Sequence, residues 1–196
     1  MTDHQAAAQV RDLERKLALA HDVGVALTRS APLDEQLAEC TEAIVRHLDA
    51  AFARVWTLRV NDDVLVLRAS SGRYTHLDGP HSRVRVGTFK IGRIAAEREP
   101  HITNDVPSDP RVSDPAWARQ EGMTSFAGYP LVVGHRLVGV IAMFARHDLS
   151  AATLDALAGI ARHVALRVDG ELSGRSSEIP ADRGSATHPG TGGSTR

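Results

Sequence analysis

Two stretches of the sequence decide the fold: FKIGRIAAEREPHITND at residues 89–105 and EGMTSFAGYPLVVGHRLVGVIAMF at residues 121–144. The first predicts a short helix that stops before Pro100, because the residue before a proline is disfavoured in the helical region. In the second, two apolar runs flank Gly134 and His135, which suit a two-residue turn between antiparallel strands. Together they predict a helix and a short strand followed by a β-hairpin.

Residue periodicity extends this pattern in both directions along the chain. The predicted helices cover residues 1–30, 34–48, 91–99 and 116–121 and a final segment that begins after Ser150. The predicted strands cover residues 52–58, 64–69, 84–89, 101–103, 125–133 and 136–145. Segregated helices and mostly antiparallel strands predict an α+β fold.

The first helix carries a narrow apolar seam whose members step by three and four residues. The seam consists of Val10, Leu13, Leu17, Ala20, Gly24 and Leu27. Such a seam can pack on its own domain or on a second copy of the chain, and self-association is the interpretation we favour. The final helix repeats this spacing, and we expect Leu157, Ala161 and Val164 to join a homodimer interface.

The composition argues against several classes of protein. The 196 residues include 23 Lys and Arg against 24 Asp and Glu, so charge gives no reason to expect nucleic acid or an anionic membrane as a partner. No apolar run reaches the roughly 20 residues of a membrane span, and no signal-peptide core opens the chain. The single cysteine, Cys40, lies in the apolar stripe of the second helix and fits a buried side chain in a cytoplasmic protein.

The order of the elements and the motifs SFAGYPLVV and RLVGVIAMF resemble the GAF domain, a small-molecule sensing and dimerisation module of bacterial signalling proteins. The resemblance implies a six-stranded antiparallel sheet, with the first and last helices packed on one face and a pocket covered by loops and short helices on the other. We therefore expect an N-terminal dimerisation helix at residues 1–30 and a GAF domain at residues 31–170. Residues 171–196 are rich in Ser, Thr, Gly and Pro and predict a disordered tail.

The sequence lacks several motifs that carry known chemistry. Its ten histidines have no HxH or HxxxH spacing, so we expect no metal site. It also lacks a glycine motif that cradles phosphate and a GxSxG nucleophile elbow. Within the family it resembles, covalent bilin attachment needs a cysteine that residues 104–130 do not contain, and free methionine sulfoxide reductases use several cysteines. We expect no cofactor and no enzymatic activity.

The segments expected to cover the pocket supply eight candidate ligand contacts, because ligand sites are usually apolar cavities with a few placed polar groups. These candidates are Tyr74, Thr75, His76, Phe89, Asn104, Asp105, Trp117 and Phe126. In the alternative interpretation the aromatic members fill the space as core. An active site is a third interpretation, and it requires the loops to bring His76, His101 and Asp105 together.

The expected function is that of a cytoplasmic, non-catalytic sensory or regulatory GAF module in bacterial signal transduction. In that family, the terminal helices commonly form a parallel dimer interface that passes a signal to an output domain. We expect a homodimer, a small-molecule ligand and a signalling partner such as the histidine kinase of a two-component system, with no nucleic acid or membrane as a partner. The alternative is a dimerisation and protein-interaction module whose pocket is filled by its own side chains.

Overall fold

The computed structural model describes residues 3–177, which form one six-stranded sheet with helices on both faces. The strands are β1 (Ala50–Arg59), β2 (Val64–Gly72), β3 (Arg83–Arg85), β4 (His101–Thr103), β5 (Ser125–Val133) and β6 (Arg136–Ala145). Their order across the sheet is β3-β2-β1-β6-β5-β4, and every neighbouring pair is antiparallel. This topology confirms the predicted α+β fold with a central six-stranded antiparallel sheet.

Three long helices cover one face of the sheet, and two short helices with their loops lie on the other face. The helices are α1 (Asp3–Thr28), α2 (Leu33–Leu48), α3 (Phe89–Glu97), α4 (Pro115–Gln120) and α5 (Ala151–Ser177). On the first face, α1, α2 and α5 share a core that includes Leu19, Leu37, Ile44, Leu157 and Val164. A second core, which includes Leu65, Ile94 and Phe126, lies on the opposite face. Strand β1 separates the two cores and is buried along almost its whole length.

The sheet is closely packed where β6 passes β1. Gly139 of β6 pairs with Thr57 of β1, and a Cβ atom at position 139 would overlap the backbone carbonyl oxygen of Trp56. Only glycine therefore fits at this position without a shift of the central strands.

The chain departs from the predicted elements between β3 and α3. The strand predicted at residues 84–89 ends at Arg85, and the helix predicted to begin at residue 91 begins at Phe89. Gly87 has a φ of 85° and Phe89 a φ of 50°, so the backbone turns sharply here. The backbone N–H of Gly87 donates to the carbonyl oxygen of Gly92 at 2.8 Å, which closes the turn. Alternation of apolar residues does not reveal such dihedral angles.

The last helix continues past residue 171, where the sequence predicts the start of a disordered tail. Arg136 at the beginning of β6 forms an ion pair with Asp169 and donates to the hydroxyl of Ser173 at 3.0 Å. These contacts hold the helix against the sheet beyond the predicted boundary. Residues 178–196 of the predicted tail lie outside the described residues. In the described part of the chain, none of the helices has the length and apolarity to cross a bilayer.

The close approach at Gly139 predicts a stability difference between two glycines. Gly139→Ala is expected to lower the free energy of unfolding by roughly 1–3 kcal/mol, because the new methyl group must displace the backbone of β1. Gly159→Ala in α5 is the matched control, since its Cβ meets no atom within 4 Å. Loss of glycine from a helix is expected to stabilise by roughly 0.5–1 kcal/mol. Urea unfolding of both variants measures these effects, and equal stabilities would contradict the packing described at Gly139.

Candidate functional site

A cavity of about 350 Å³ lies on the sheet face that carries α3 and α4. Its apolar wall is made largely of aromatic side chains, namely Phe52, Trp56, Tyr74, Phe89, Trp117, Phe126 and Phe144. Its polar wall is made of Arg54, His76, Asp78, His81, Lys90, Arg111, Ser113 and Asp114. The cavity therefore combines a large apolar surface with several charged groups.

The aromatic rings pack against one another and form a continuous wall. The ring centroids of Phe52 and Phe144 are 4.9 Å apart in a stacked pair, and those of Phe126 and Phe144 are 4.8 Å apart with tilted planes. The indole N–H of Trp117 donates to the hydroxyl of Tyr74 at 3.1 Å. Mutual packing and this hydrogen bond fix the orientations of the rings.

Arg54 projects from the central strand β1 into the cavity. This residue is only 9% exposed, and its Nε donates to the hydroxyl of Ser70 at 3.0 Å. The guanidinium carbon lies 5.4 Å from the ring centroid of Phe52 and 5.8 Å from that of Tyr74. No ion pair joins Arg54 to a carboxylate within residues 3–177. Burial lowers the pKa of this guanidinium, as expected for a cation removed from water.

Lys90 of α3 is a second buried cation in the cavity wall, and it has a partner. Its Nζ lies 2.7 Å from Oδ2 of Asp109 and 4.2 Å from the ring centroid of Phe126. The same oxygen of Asp109 lies 2.7 Å from Nε2 of His101, and the other accepts the backbone N–H of Arg111 at 2.9 Å. Burial opposes the ionisation of Asp109, but hydrogen bonds from His101 and Lys90 lower its pKa to about 2. The Lys90 charge is therefore neutralised inside the protein.

Five of the eight predicted ligand contacts line the cavity: Tyr74, His76, Phe89, Trp117 and Phe126. The structure places the other three elsewhere. Asn104 holds the start of α5, since its Oδ1 accepts the N–H of Leu149 at 2.9 Å and its Nδ2 donates to the Leu149 carbonyl at 3.3 Å. Asp105 forms a turn with Thr103, and Thr75 is exposed outside the cavity.

The required convergence of His76, His101 and Asp105 is also absent, because only His76 lines the cavity. Sequence reasoning missed Arg54, Lys90 and Asp109. The available signal for Arg54 was its position as the single charged residue in the apolar run of residues 50–58.

The predicted dimer residues fall into two groups. Val10, Leu13 and Leu17 of α1 are 55%, 59% and 62% exposed, and Ala20 and Gly24 are also exposed. Leu27 is half-buried. By contrast, Leu157, Ala161 and Val164 are buried in the core beneath α1 and α2, so they are not available to a second copy. Their seam packs on the sheet of the same chain.

Two further sites carry less chemistry. A depression of about 450 Å³ beside α5 is open to solvent, and Tyr129 is its one aromatic wall residue. Cys40 is fully buried, as predicted, and burial raises the pKa of its thiol to about 12. Among the described residues, no group of three His, Cys, Asp or Glu side chains is placed to hold a metal ion.

The sequence model of the GAF domain matches residues 30–169, which include every strand and the aromatic cavity. The chain belongs to the GAF domain family. GAF domains are regulatory and sensory domains found in signalling proteins. No curated protein matches the chain significantly.

Solved GAF domains have the same fold. The GAF domain of a phosphoenolpyruvate-protein phosphotransferase from Coxiella burnetii is 19% identical, with a TM-score of 0.70, over 85% of this chain and 98% of that one. The GAF domain of A. aeolicus nlh2 in an inactive state is 14% identical, with a TM-score of 0.70, over 82% and 99%. At these identities the likeness shows the fold alone.

The similar solved structures also include enzymes. Free methionine-R-sulfoxide reductase from Neisseria meningitidis, in complex with its substrate, is 16% identical, with a TM-score of 0.67, over 83% of this chain and 93% of that one. This finding contradicts the expectation that the chain has no enzymatic activity, because some proteins of this fold are enzymes. The likeness does not assign reductase chemistry to this chain.

The buried pair of Lys90 and Asp109 predicts a pH-dependent stability. Asp109→Asn is expected to lower the free energy of unfolding by roughly 3–5 kcal/mol at pH 7, since it leaves the Lys90 charge buried without its partner. The pKa of Asp109 lies below its ordinary value of 3.8, so its stabilising effect is present above about pH 4 and is lost as the pH falls towards 2.

Denaturant unfolding between pH 2 and pH 7 measures this difference between the wild type and the variant. Glu97→Gln is the control, because its ion pair with Arg111 at 3.0 Å is much more exposed and is worth about 0–1 kcal/mol. Equal losses for the two variants at pH 7 would contradict the buried pair.

Proposed function

We propose that this GAF domain is a sensory or regulatory module that binds a small molecule in the aromatic cavity and forms a homodimer through the exposed seam of α1. The observation that carries the proposal is a cavity whose wall combines packed rings with a buried, unpaired guanidinium. Its natural context is bacterial signal transduction in the cytoplasm, with a signalling protein such as a histidine kinase as partner.

The size and lining of the cavity support ligand binding. Ligand cavities commonly measure about 300–1,000 Å³ and have apolar walls with a few placed polar groups. The aromatic wall side chains contact one another and still leave about 350 Å³ unfilled. This remaining space favours a ligand over the alternative in which the pocket is filled by its own side chains.

The two faces of α1 support dimerisation. One face packs in the core through Leu19, Val23 and Ala26, which are almost fully buried. The seam is a different face, on which Leu13 and Leu17 are more than half exposed. Full burial of such a side chain contributes roughly 1.5–3 kcal/mol, so a second α1 seam is a suitable partner.

Ligand binding can influence the helices through β1, because successive residues of a strand point to opposite faces of the sheet. Phe52, Arg54 and Trp56 face the cavity, whereas Ala53 and Val55 belong to the core beneath the helices. A ligand that shifts β1 therefore changes the surface on which α2 packs. The output of the module would be a changed position of α1 within the dimer.

The seam predicts which substitutions dissociate the dimer. We expect Leu13→Asp combined with Leu17→Asp to give a monomer, because paired carboxylates cannot be buried in an apolar interface. Val25→Asp is the matched control: Val25 is also on α1 and 49% exposed, but it lies about 100° around the helix from Gly24 of the seam. Light scattering after size exclusion gives the masses. A monomeric wild type, or equal dissociation by the control, would contradict the seam interface.

Native mass spectrometry of gently purified protein tests both parts of the proposed function. The expected species is a dimer that carries a reproducible additional mass. A dimer without an adduct that also fails to bind small molecules added at millimolar concentration would contradict ligand binding and leave the interaction module as the function.

A further inference from the structure

We propose that the ligand is a small aromatic carboxylate, held by its carboxylate group on the guanidinium of Arg54. This inference rests on the proposed ligand binding and names the chemical class that the same cavity accepts. Three features of the cavity lead to it: an unpaired buried cation, an aromatic wall around that cation, and a strained, exposed ring at the rim.

The two buried cations of the cavity differ in how their charge is balanced. Lys90 has Asp109 at 2.7 Å, so it needs no counter-ion from outside the protein. Arg54 uses Nε for Ser70, and its Nη1 and Nη2 have no hydrogen-bond partner among the described residues. A charge buried without a partner is strongly disfavoured in proteins. An anion bound in the cavity would act as the counter-ion that Arg54 lacks.

The acidic residues of the wall do not act as the counter-ion of Arg54. Asp114 caps α4, since its Oδ1 accepts the backbone N–H of Trp117 at 2.8 Å. Asp78 is exposed on the loop between β2 and β3 and forms no ion pair with Arg54. Arg111, the third cationic side chain of the wall, is paired with Glu97 at 3.0 Å. Arg54 is therefore the one cation of the described wall that has no carboxylate partner.

A carboxylate suits this site better than a phosphate ester. The Nη1 and Nη2 groups of a guanidinium form a planar fork that matches the two oxygens of a carboxylate. A phosphate monoester carries a charge of about −1.5 to −2 at neutral pH, which a single unpaired cation does not balance. One carboxylate balances the charge of the one unpaired guanidinium.

The remainder of the ligand is indicated by the rings. Phe52 and Tyr74 flank the guanidinium at 5.4 Å and 5.8 Å, so a carboxylate on Arg54 would place its substituent against the aromatic wall. Phe89 at the rim is 55% exposed and has a φ of 50°, a conformation that is unfavourable for a bulky residue and that tends to occur at functional sites. A flat ring in the cavity would bury part of Phe89. The volume, at the lower end of ligand cavities, limits the ligand to about one or two rings.

The test compares acids with their uncharged amides on three forms of the full chain. The panel is benzoate, indole-3-carboxylate and 2-naphthoate, the three corresponding amides, cyclohexanecarboxylate and phenyl phosphate. The proteins are wild type, Arg54→Met, and Arg111→Met as the control that removes a paired cation from the same wall. Isothermal titration calorimetry gives each Kd, and thermal unfolding gives each Tm.

For the wild type, we expect at least one aromatic acid to bind tenfold or more tightly than its amide, and more tightly than the saturated acid and the phosphate ester. Arg54→Met should abolish the preference for the acid and leave amide binding within about threefold, whereas Arg111→Met should keep the preference. Without ligand, Arg54→Met should raise Tm, because it removes an unbalanced buried charge while Ser70 keeps its hydrogen bond to the Tyr74 carbonyl at 2.5 Å. If Arg54 served only to stabilise the fold, the Arg54→Met variant would have a lower Tm than the wild type.

Each contrary result has a distinct meaning. A preference for acid that survives in Arg54→Met, or a lowered Tm of that variant without ligand, overturns the role of Arg54. Tighter binding of phenyl phosphate or of the saturated acid overturns the aromatic carboxylate. If only the amides bind, the cavity is a ligand site and the chemical class is wrong. If no panel member binds to the wild type and its native mass spectrum shows no adduct, the proposed ligand binding itself fails.

Discussion

Strand β1 is buried on both faces from Phe52 to Leu58, so every side chain in that stretch needs a suitable environment inside the fold. Ala53 and Val55 meet this constraint by packing beneath the helices, and Phe52 and Trp56 meet it in the aromatic wall. Arg54 occupies the same wall with a charge that the protein does not balance. The cavity, the helix layer and the unpaired cation therefore all depend on one strand at the centre of the sheet.

Lys90 and Arg54 represent two ways to bury a positive charge. Asp109 pairs with Lys90 and is itself held by His101 and the Arg111 backbone, so this group links α3 to β4 and the loop before α4. Removal of either partner would destabilise the fold because it would leave the other charge buried without a counter-ion. Arg54 contacts the hydroxyl of Ser70 and the rings of Phe52 and Tyr74 but has no carboxylate partner. A buried charge without a counter-ion is expected to lower stability, and such positions occur at binding sites, where stability and function compete.

Most of the fold could be predicted from the sequence, because periodicity reports local structure directly. The hairpin predicted at residues 125–133 and 136–145 has these bounds in the structure. Predictions were less accurate where the outcome depended on distant contacts. A seam indicates which residues share a helix face but not what covers that face, and this is why Leu157 was assigned to a dimer interface although it is buried in its own chain. The role of Arg54 was missed for a similar reason, since no sequence pattern reveals the absence of a counter-ion.

The coupling that we propose between the cavity and the helices depends on how closely the central strands are packed. Gly139 leaves no free space between β6 and the backbone of β1 at Trp56, so β1 cannot shift alone when a ligand engages Arg54. Close-packed interiors transmit displacements because they have low compressibility. A movement of β1 must therefore involve β6, and both strands form part of the surface beneath the helices. Because α1 packs on α2 and α5 through one face and exposes its seam on another, a change in that layer would alter the angle at which the seam meets a second copy in the proposed dimer. In the function that we propose, a binding event on one face of the sheet thus has a direct mechanical route to the proposed dimer interface on the other.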